Sequence, residues 1–277
     1  MPIILLDGPL GTELNARGVD TRLPEWSAGA LREAPAVVQG IHADYAAAGA
    51  VVHTTNTFRT RQRQVGDAWE SLARRAVDLV RAGVEGGPGG TGGARVAGSV
   101  APLEDCYRPD LSPRDPGPEH RALVRVLADA GVDLLLCETF PNPREALIAA
   151  EEALATGLPT WVALTAGPSA DLMTPKEMGE TARELAALGA AAVLVNCVPA
   201  SATRPYLDAI AEAGLPFGAY ANAGRPDEEI GWQTDDPLGP ARYAELAAQW
   251  ATAGATIIGG CCGTGPRHVA ALAELLA

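Results

Sequence analysis

The stretch EHRALVRVLADAGVDLLLCETFPNPREALIAAEEALATGLPTWVALT, residues 119–165, contains one pattern twice, a helix followed by a strand. Apolar residues recur at helical spacing in EHRALVRVLADAG and in PREALIAAEEALATG, and both segments end at a glycine, the residue that commonly terminates helices. The runs VDLLLC and TWVALT are short and almost continuously apolar. Such runs predict parallel strands that are buried on both faces.

The same alternation extends along the rest of the chain. Further helical segments include ESLARRAVDLVRAGV, KEMGETARELAALG and ARYAELAAQWATAG. Eight such units in roughly 250 residues are typical of the (β/α)8 barrel, so we expect one α/β domain, a TIM barrel over residues 1–277. A doubly wound open sheet is the alternative, but DGPLGTEL after the first strand lacks the dinucleotide-binding glycine pattern. The predicted strands are IILL (3–6), AVVHT (50–54), RVAGSV (95–100), VDLLLC (132–137), TWVALT (160–165), AAVLVNC (191–197), PFGAY (216–220) and ATIIGG (255–260).

The composition limits the class of protein. The chain is 47% hydrophobic and 20% charged, which is ordinary for a soluble globular protein. A net charge of −13 without a lysine or arginine cluster argues against a nucleic-acid surface. The N-terminus MPIILLDG is unlike a signal peptide, and no apolar run approaches the length of a membrane span. Five cysteines, an odd number, argue against a disulfide framework, so we expect a cytoplasmic protein.

Polar residues collect where the predicted strands end. In a (β/α)8 barrel the active site lies at the C-terminal ends of the strands. The long connections 8–49 and 101–118 begin at the same end and are expected to build a substrate pocket. The polar residues concerned are Asp7 and Gly8 after the first strand, Thr55 and Asn56 after the second, Glu138 after the fourth, Asn196 and Cys197 at the end of the sixth, Asn222 after the seventh, and Cys261 and Cys262 after the eighth.

Three cysteines are expected to converge at this end of the barrel. Cys197 ends VLVNC, and Cys261 and Cys262 are a vicinal pair in IIGGCCGTG. Three thiolates would bind Zn²⁺ and leave one position open, which is typical of a catalytic zinc site. Asn222 could fill that position when no substrate is bound, although a turn-forming role in YANAGRP is an equal alternative. For each cysteine alone, packing as a small apolar side chain is the alternative, and for the glycine-flanked pair it is a phosphate site.

The other cysteines and two histidines are not predicted to be ligands. Cys137 lies within an apolar strand and is expected to pack in the core, and Cys106 is interpreted as an incidental thiol in a loop. We expect His53 to be a strand-end residue and His42 to lie on a helix surface.

With these motifs, the chain resembles the homocysteine S-methyltransferase family, zinc-dependent barrels that methylate the thiol of homocysteine to give methionine. The resemblance extends from DGPLGTEL through TTNTF, AGVDLLLCETF and VNC to YANAG and GGCCGTGPRHV. Only VAGSVAPLEDCYRPD, after the third strand, departs from the family's usual glycine–tyrosine pattern, which leaves the donor-side contacts of the 101–118 loop open. The resemblance implies that the zinc ligands are Cys197, Cys261 and Cys262, and that the amino-acid end of homocysteine is held by Asp7, Gly8 and Glu138, with Thr55 and Asn56 as further substrate-binding candidates.

The resemblance implies a small-molecule methyl transfer. A free thiol has a pKa of about 8.5, and its thiolate is the nucleophile, so zinc binding would activate it at neutral pH. We expect neither the cobalamin and folate modules of long methionine synthases nor the C-terminal extension of betaine-using members. We therefore expect a sulfonium donor, S-methylmethionine or S-adenosylmethionine, and no nucleic-acid or membrane partner. The alternatives are a different thiol or selenol acceptor, a corrinoid-protein donor and, more remotely, a non-enzymatic thiol redox sensor or metal buffer.

Overall fold

The computed structural model describes residues 2–85, 93–224 and 238–276. Its described residues form eight strands in one sheet, in the order β1-β8-β7-β6-β5-β4-β3-β2, and all neighbouring pairs are parallel. A parallel bridge between Leu6 and Val52 joins the two outermost strands of that order, so the sheet closes on itself. The predicted (β/α)8 barrel is therefore confirmed. The strands are β1 (Ile4–Leu5), β2 (Val52–Thr54), β3 (Arg95–Val100), β4 (Leu134–Phe140), β5 (Thr160–Leu164), β6 (Ala192–Pro199), β7 (Phe217–Asn222) and β8 (Ile257–Gly260).

Helices follow every strand, and local sequence signals set their ends. The Thr174 side chain accepts a hydrogen bond from the Glu177 backbone N–H while the Glu177 side chain bonds back, a capping box that starts α8. Gly189 ends α8 in the left-handed conformation, as the glycine in the sequence predicts. Within the described part of the chain the α-helices are α1 (Leu10–Ala16), α2 (Ala30–Glu33), α3 (Pro35–Ala47), α4 (Gln62–Val65), α5 (Trp69–Val84), α6 (Gly117–Asp129), α7 (Pro143–Leu154), α8 (Pro175–Leu188), α9 (Arg204–Ala211), α10 (Gly239–Thr252) and α11 (Pro266–Leu276). None of these helices is long and apolar enough to span a bilayer.

Two apolar layers hold the barrel together. Outward-facing strand residues such as Leu135 and Val193 pack in the layer between strands and helices. All residues of β4 and β6 are buried, which confirms that these strands are covered on both faces. The layer inside the barrel consists of Leu6, Val52, Ala97, Leu134, Leu136, Trp161, Ala163, Ala192, Leu194, Tyr220 and Ile257.

Three strands continue past their predicted ends. β7 continues to Asn222, so Asn222 is the last residue of this strand and does not follow it as predicted. β4 and β6 continue to Phe140 and Pro199, and both shift register there, β4 between Cys137 and Phe140 and β6 between Asn196 and Pro199. Glu138 therefore lies within the irregular end of β4 and does not follow that strand. Cys197 lies within the irregular end of β6 and is not its last residue. The cause is a bulge in β4 and in β6, which periodicity does not reveal because an extra residue changes the alternation locally.

The prediction that His42 lies on a helix surface is wrong. Its side chain is fully buried on α3, and its ring centroid is 6.3 Å from that of His53, which is also buried. The buried positions of α3 are Val38, Ile41, His42, Tyr45 and Ala46. These positions follow the spacing of one helix face, so His42 occupies a place in the apolar stripe.

Candidate metal and substrate site

The structure brings the three predicted cysteines together. The sulfur atoms of Cys197, Cys261 and Cys262 all lie within 4.8 Å of one another, and those of Cys197 and Cys261 are 2.7 Å apart. Cys197 is carried by β6, and the vicinal pair follows β8 directly. Between them lies β7, whose Ala221 carbonyl accepts a hydrogen bond from the Cys261 backbone N–H at 2.8 Å.

The chemistry of this sulfur cluster fits a zinc ion. Tetrahedral zinc with Zn–S bonds of about 2.3 Å places its sulfur ligands about 3.8 Å apart, so the Cys197 and Cys261 sulfurs, now 2.7 Å apart, would separate by about 1 Å to bind it. Hydrogen bonds from the Cys197 and Cys261 thiols lower the pKa of Cys262 well below its usual value. Cysteine binds metal in its deprotonated form. The lowered pKa of Cys262 therefore favours the binding of a cation by this cluster.

A pair of side-chain hydrogen bonds fixes the two bulged strands. The Asn196 Oδ1 atom accepts from the Thr139 backbone N–H at 3.1 Å, and its Nδ2 atom donates to Thr139 Oγ1 at 2.7 Å. Thr139 and Cys197 have φ angles of 63° and 52°. Such left-handed angles in residues other than glycine cost about 1–3 kcal/mol each and persist only where the surroundings hold them. The Asn196–Thr139 pair thus lies between Glu138 and Cys197 and connects both bulges.

The other side of the sulfur cluster is supported from α10. The Tyr243 hydroxyl donates to the Gly259 carbonyl at 2.7 Å and accepts from the Ala221 backbone N–H at 3.0 Å. It therefore joins β7 to β8 just before the vicinal cysteines. Gly263, immediately after them, has a φ of 78°, so the chain turns there in a conformation that glycine adopts without strain.

Asn222 lies beside both cysteine-bearing segments. It is the last residue of β7 and is paired in register with Pro199 of β6, and the next backbone N–H, of Ala223, donates to the Cys262 carbonyl at 2.9 Å. Its amide is fully buried, and neither the nitrogen nor the oxygen has a hydrogen-bond partner among the described residues. A turn-forming asparagine bonds to nearby backbone, so this observation favours the ligand alternative over the turn alternative.

A cavity of about 730 Å³ opens at this end of the barrel. The connections 8–49 and 101–118 both contribute to its wall, for example through Trp26 and Tyr107. A Cβ atom at Gly8 would lie 2.6 Å from the Tyr45 hydroxyl oxygen, so glycine is required there. The predicted site residues that line the cavity are Asp7, Gly8, Thr55, Asn56, Glu138, Cys197, Cys261 and Cys262.

Asp7 is a buried carboxyl group at the floor of the cavity. Its Oδ2 atom accepts from the Thr54 backbone N–H at 2.8 Å, and its Oδ1 atom accepts from Thr54 Oγ1 at 3.0 Å. Burial raises the pKa of Asp7 to about 8, although both hydrogen bonds act in the opposite direction. Asp7 therefore favours the protonated acid near neutral pH.

Glu138 is the second buried carboxyl group. It accepts hydrogen bonds from the Ser99 hydroxyl and, at 3.2 Å, from the Tyr220 hydroxyl. Burial raises the pKa of Glu138 to about 7. Within the described residues, no lysine or arginine forms an ion pair with Glu138 or Asp7. Two buried carboxyl groups without a protein cation form a place for a cationic ligand.

A family model described as homocysteine S-methyltransferase matches residues 4–276. The chain belongs to the homocysteine S-methyltransferase family. It is similar to homocysteine S-methyltransferase of Escherichia coli strain K12, with 34% identity over 296 residues that cover 98% of this chain and 94% of the relative. It is also similar to S-methylmethionine–homocysteine S-methyltransferase of Mus musculus, with 31% identity over 274 residues, 91% of this chain and 72% of the relative.

A solved structure supports the same family. The homocysteine methyltransferase MmuM from Escherichia coli, in its metallated form, superposes with a TM-score of 0.81 at 29% identity, covering 99% of this chain and 96% of that one. The chain is accordingly an enzyme of this methyltransferase family, and the fold and the sulfur cluster occur together in it.

The other predicted substrate-binding residues differ in what they can offer a ligand. Thr55 Oγ1 is 2.7 Å from Thr57 Oγ1 and accepts from the Ser99 backbone N–H at 3.0 Å, so its hydroxyl is already used inside the protein. Asn56 donates to the Ser27 carbonyl at 2.8 Å, while its buried Oδ1 atom has no partner in the described part of the chain. Asn56 is therefore the better candidate for a substrate contact.

Several residues of the site were not predicted from the sequence. Tyr107 lines the cavity together with Cys262, and after the Cys197 and Cys261 thiols its side chain also acts to lower the pKa of Cys262. Arg61 is fully buried and donates to the carbonyls of Ala101 and Pro102, which fixes the start of the loop that carries Tyr107. A tyrosine or arginine in a loop gives no periodic signal, so only the folded structure reveals these contacts.

The remaining cysteines are both buried. Cys137 is fully buried within β4, as predicted for a core residue. Cys106 is also buried and lines the cavity, so it is not simply a loop thiol at the surface. Neither sulfur atom belongs to a described group of potential metal ligands that lie within 4.8 Å of one another.

Proposed function

We propose that this enzyme is a zinc-dependent methyltransferase that moves a methyl group from a sulfonium donor, S-methylmethionine or S-adenosylmethionine, to the thiol of homocysteine, giving methionine. The observation that carries the proposal is a three-thiol cluster in the wall of a cavity that also holds two buried carboxyl groups. The ligands would be Cys197, Cys261 and Cys262, with Asn222 in the fourth position before substrate binds. The structure of the Escherichia coli relative in its metallated form supports a bound metal in this enzyme.

The carboxyl groups would hold the substrate. When bound, Zn²⁺ would lower the pKa of the homocysteine thiol so that the nucleophilic thiolate exists at neutral pH. Asp7 and Glu138 would accept charge-assisted hydrogen bonds from the substrate ammonium, and the positive charge would lower the pKa of both groups in return. Anchoring this end of the substrate would hold its sulfur beside the cysteine cluster in one orientation.

Aromatic rings near the cavity suit a cationic donor. Trp26 and Phe58 both line it, and their ring centroids are 5.5 Å apart in an edge-to-face arrangement. Aromatic faces attract cations, and the net charge of −13 favours cationic ligands over anionic ones. The mouse relative, which is named for S-methylmethionine and homocysteine, supports the same donor.

The reaction is balanced without a further co-reactant. The homocysteine sulfur forms a bond to the donor methyl carbon while the bond from that carbon to the sulfonium sulfur breaks. The electron pair of the broken bond stays on the leaving sulfur, which becomes a neutral thioether, and the proton of the homocysteine thiol passes to solvent when the thiolate forms. A sulfonium thus supplies both the methyl group and the leaving group, so no corrinoid protein is required.

An assay with a labelled acceptor tests the proposal, because the thioether that leaves S-methylmethionine is itself methionine. Purified holoenzyme, S-methylmethionine and homocysteine deuterated in its carbon chain should give deuterated methionine without added corrinoid, and S-adenosylmethionine should be the poorer donor. Activity that appears only with a methylcobalamin protein would overturn the donor assignment. Absence of homocysteine methylation with either kind of donor would overturn the acceptor assignment.

Metal analysis of cysteine variants tests the ligand assignment. Wild-type protein should contain one zinc per chain, and Cys261→Ala should lose most of it because one of three thiolate ligands is missing. Cys106→Ala and Cys137→Ala are matched controls and should retain their zinc. Full zinc content in Cys261→Ala would contradict the assignment.

The proposal treats residues 1–277 as one homocysteine-binding barrel domain, which the family match over 4–276 supports. It also places the enzyme in the cytoplasm, as part of methionine biosynthesis. The five free cysteines support this location, because reducing compartments keep thiols available for metal.

A further inference from the structure

His42 has an unusual environment for a buried histidine. Its side chain is completely buried on α3, and neither ring nitrogen has a hydrogen-bond partner among the described residues. An unsatisfied buried polar group costs about 1–3 kcal/mol, and each such group in a native protein calls for an explanation. An apolar residue at this position of the helix stripe would avoid that cost.

Asp7 is an acceptor with free capacity close to His42. The His42 Nδ1 atom lies 4.0 Å from Asp7 Oδ2, about 1 Å beyond hydrogen-bond length. The two Thr54 hydrogen bonds occupy one acceptor site on each Asp7 oxygen. An ionised carboxylate offers about four acceptor sites, so one site on Oδ2 and one on Oδ1 remain available.

We propose that His42 is a positioning residue for Asp7, and that its Nδ1–H closes onto Oδ2 when a substrate ammonium binds at Oδ1. The proposal rests on the proposed function, because the ammonium is that of homocysteine. His42 is not among the described residues that line the cavity, so it acts through Asp7 and not on the substrate. The third hydrogen bond would hold the carboxylate in the orientation that receives the ammonium.

The charge state of His42 suits this role. Burial lowers the pKa of His42 to about 3 and that of the neighbouring His53 to about 4, so both rings are neutral. A neutral imidazole donates a hydrogen bond and leaves the carboxylate charge for the ligand, whereas an imidazolium would compete with the ammonium. The groups that face Asp7 are Thr54 and His53 of β2, His42 of α3 and, through its charge, Glu138 of β4.

Asp7, His42 and His53 also have the composition of a metal site, with one potential ligand atom from each within 4.8 Å of the others. A divalent ion there would leave net positive charge in a fully buried place. It would also occupy the carboxylate that the ammonium needs. We therefore treat a second metal as an outcome that the experiment must distinguish.

Two ligands that differ only in the ammonium group test the role of His42. We would measure dissociation constants of the zinc-loaded enzyme for homocysteine and for 4-mercaptobutyrate, which keeps the thiol and the carboxylate, by titration calorimetry. His42→Phe should weaken homocysteine binding about tenfold or more, the effect of losing a hydrogen bond to a charged group. Binding of 4-mercaptobutyrate should change less than about twofold, since the proposal leaves His42 no part in holding the thiol or the carboxylate. In an Asp7→Asn background the effect of His42→Phe should disappear, because coupled residues are not additive.

Control variants separate positioning from packing. His42→Asn places an amide nitrogen near the position of Nδ1 and should restore most of the discrimination between the two ligands. His120→Phe changes another fully buried histidine, which bonds to Glu145, and should leave the ratio of the two affinities unchanged. If His42→Phe does not fold, His42→Leu provides the same comparison.

The outcomes are distinguishable. Unchanged homocysteine affinity, or equal loss for both ligands, would overturn the role of His42 while leaving the proposed function intact. Loss of a second equivalent of zinc in His42→Phe would overturn it in favour of a metal site. If the wild-type enzyme binds 4-mercaptobutyrate as tightly as homocysteine, the ammonium contact in the proposed function fails instead.

Discussion

Among single residues, the proposed role of Glu138 in holding the substrate ammonium can be tested separately from metal binding. Its two carboxyl oxygens bond to Ser99 and Tyr220, not to the cysteines. We expect Glu138→Gln to keep one zinc per chain while homocysteine binding weakens by about 1.5–3 kcal/mol, the range for a hydrogen bond to a charged group. Zinc analysis and calorimetry measure both quantities. Glu145→Gln alters a buried carboxyl group outside the cavity and should leave homocysteine affinity unchanged; zinc loss in Glu138→Gln would contradict this division of roles.

Asp7 should make the stability of the ligand-free enzyme depend on pH. Its pKa is about 8 in the folded protein and 3.8 as an ordinary aspartate, so between these values the folded chain retains a proton that the unfolded chain has lost. Stability rises with pH only where the unfolded state binds more protons. The contribution of Asp7 therefore destabilises the fold progressively as the pH rises from about 4 to about 8.

Urea unfolding at pH 5 and pH 8 tests this dependence. Asp7→Asn cannot titrate, so its loss of stability between the two pH values should be smaller than that of the wild type. Other groups, including the cysteines, contribute equally to both proteins and cancel in the comparison. Identical changes in the free energy of unfolding would show that Asp7 is ionised in the folded state across this range.

At the scale of elements, the Asn196–Thr139 pair controls how β4 and β6 end. Asn196→Ala removes two hydrogen bonds, and we expect the free energy of unfolding to fall by about 1–3 kcal/mol. Because the same pair holds the bulge that carries Cys197, zinc affinity should fall as well. Denaturant unfolding and competition with a zinc chelator measure the two effects.

Asn142→Ala is a matched control for that variant. Asn142 caps α7 and bonds to the Pro109 carbonyl at 3.0 Å, away from the sulfur cluster. Loss of this cap should cost about 1 kcal/mol of stability and leave zinc affinity unchanged. If Asn196→Ala and Asn142→Ala bind zinc equally well, the bulges do not depend on the Asn196 amide.

Element positions could be predicted from sequence better than element ends. The limits of β3, Arg95–Val100, agree with the predicted strand 95–100. The ends of β4 and β6 could not be predicted, because their bulges depend on hydrogen bonds between Asn196 and Thr139, 57 positions apart. The burial of His42 agrees with the helical spacing of the buried residues of α3. Histidine is a polar residue, however, so its residue type suggested exposure where the spacing indicated burial.

For the whole molecule, the order of strands along the chain was enough to predict which distant residues line one cavity. In a parallel barrel every strand ends at the same face, so residues distant in sequence, such as Asp7 and Cys261, were expected to share one cavity. The contacts between loops were beyond this reasoning. Arg61 and Tyr107 act through partners that only the closed barrel brings near, and no spacing in the sequence links them to those partners.

The central claim is that three protein thiolates leave one position on zinc for the substrate sulfur. X-ray absorption at the zinc edge, recorded on the holoenzyme before and after addition of homocysteine, counts the sulfur ligands directly. We expect zinc to have three sulfur ligands and one lighter ligand without substrate, and four sulfur ligands with homocysteine bound. An unchanged count of three with homocysteine bound, or four protein sulfurs from the start, would contradict it.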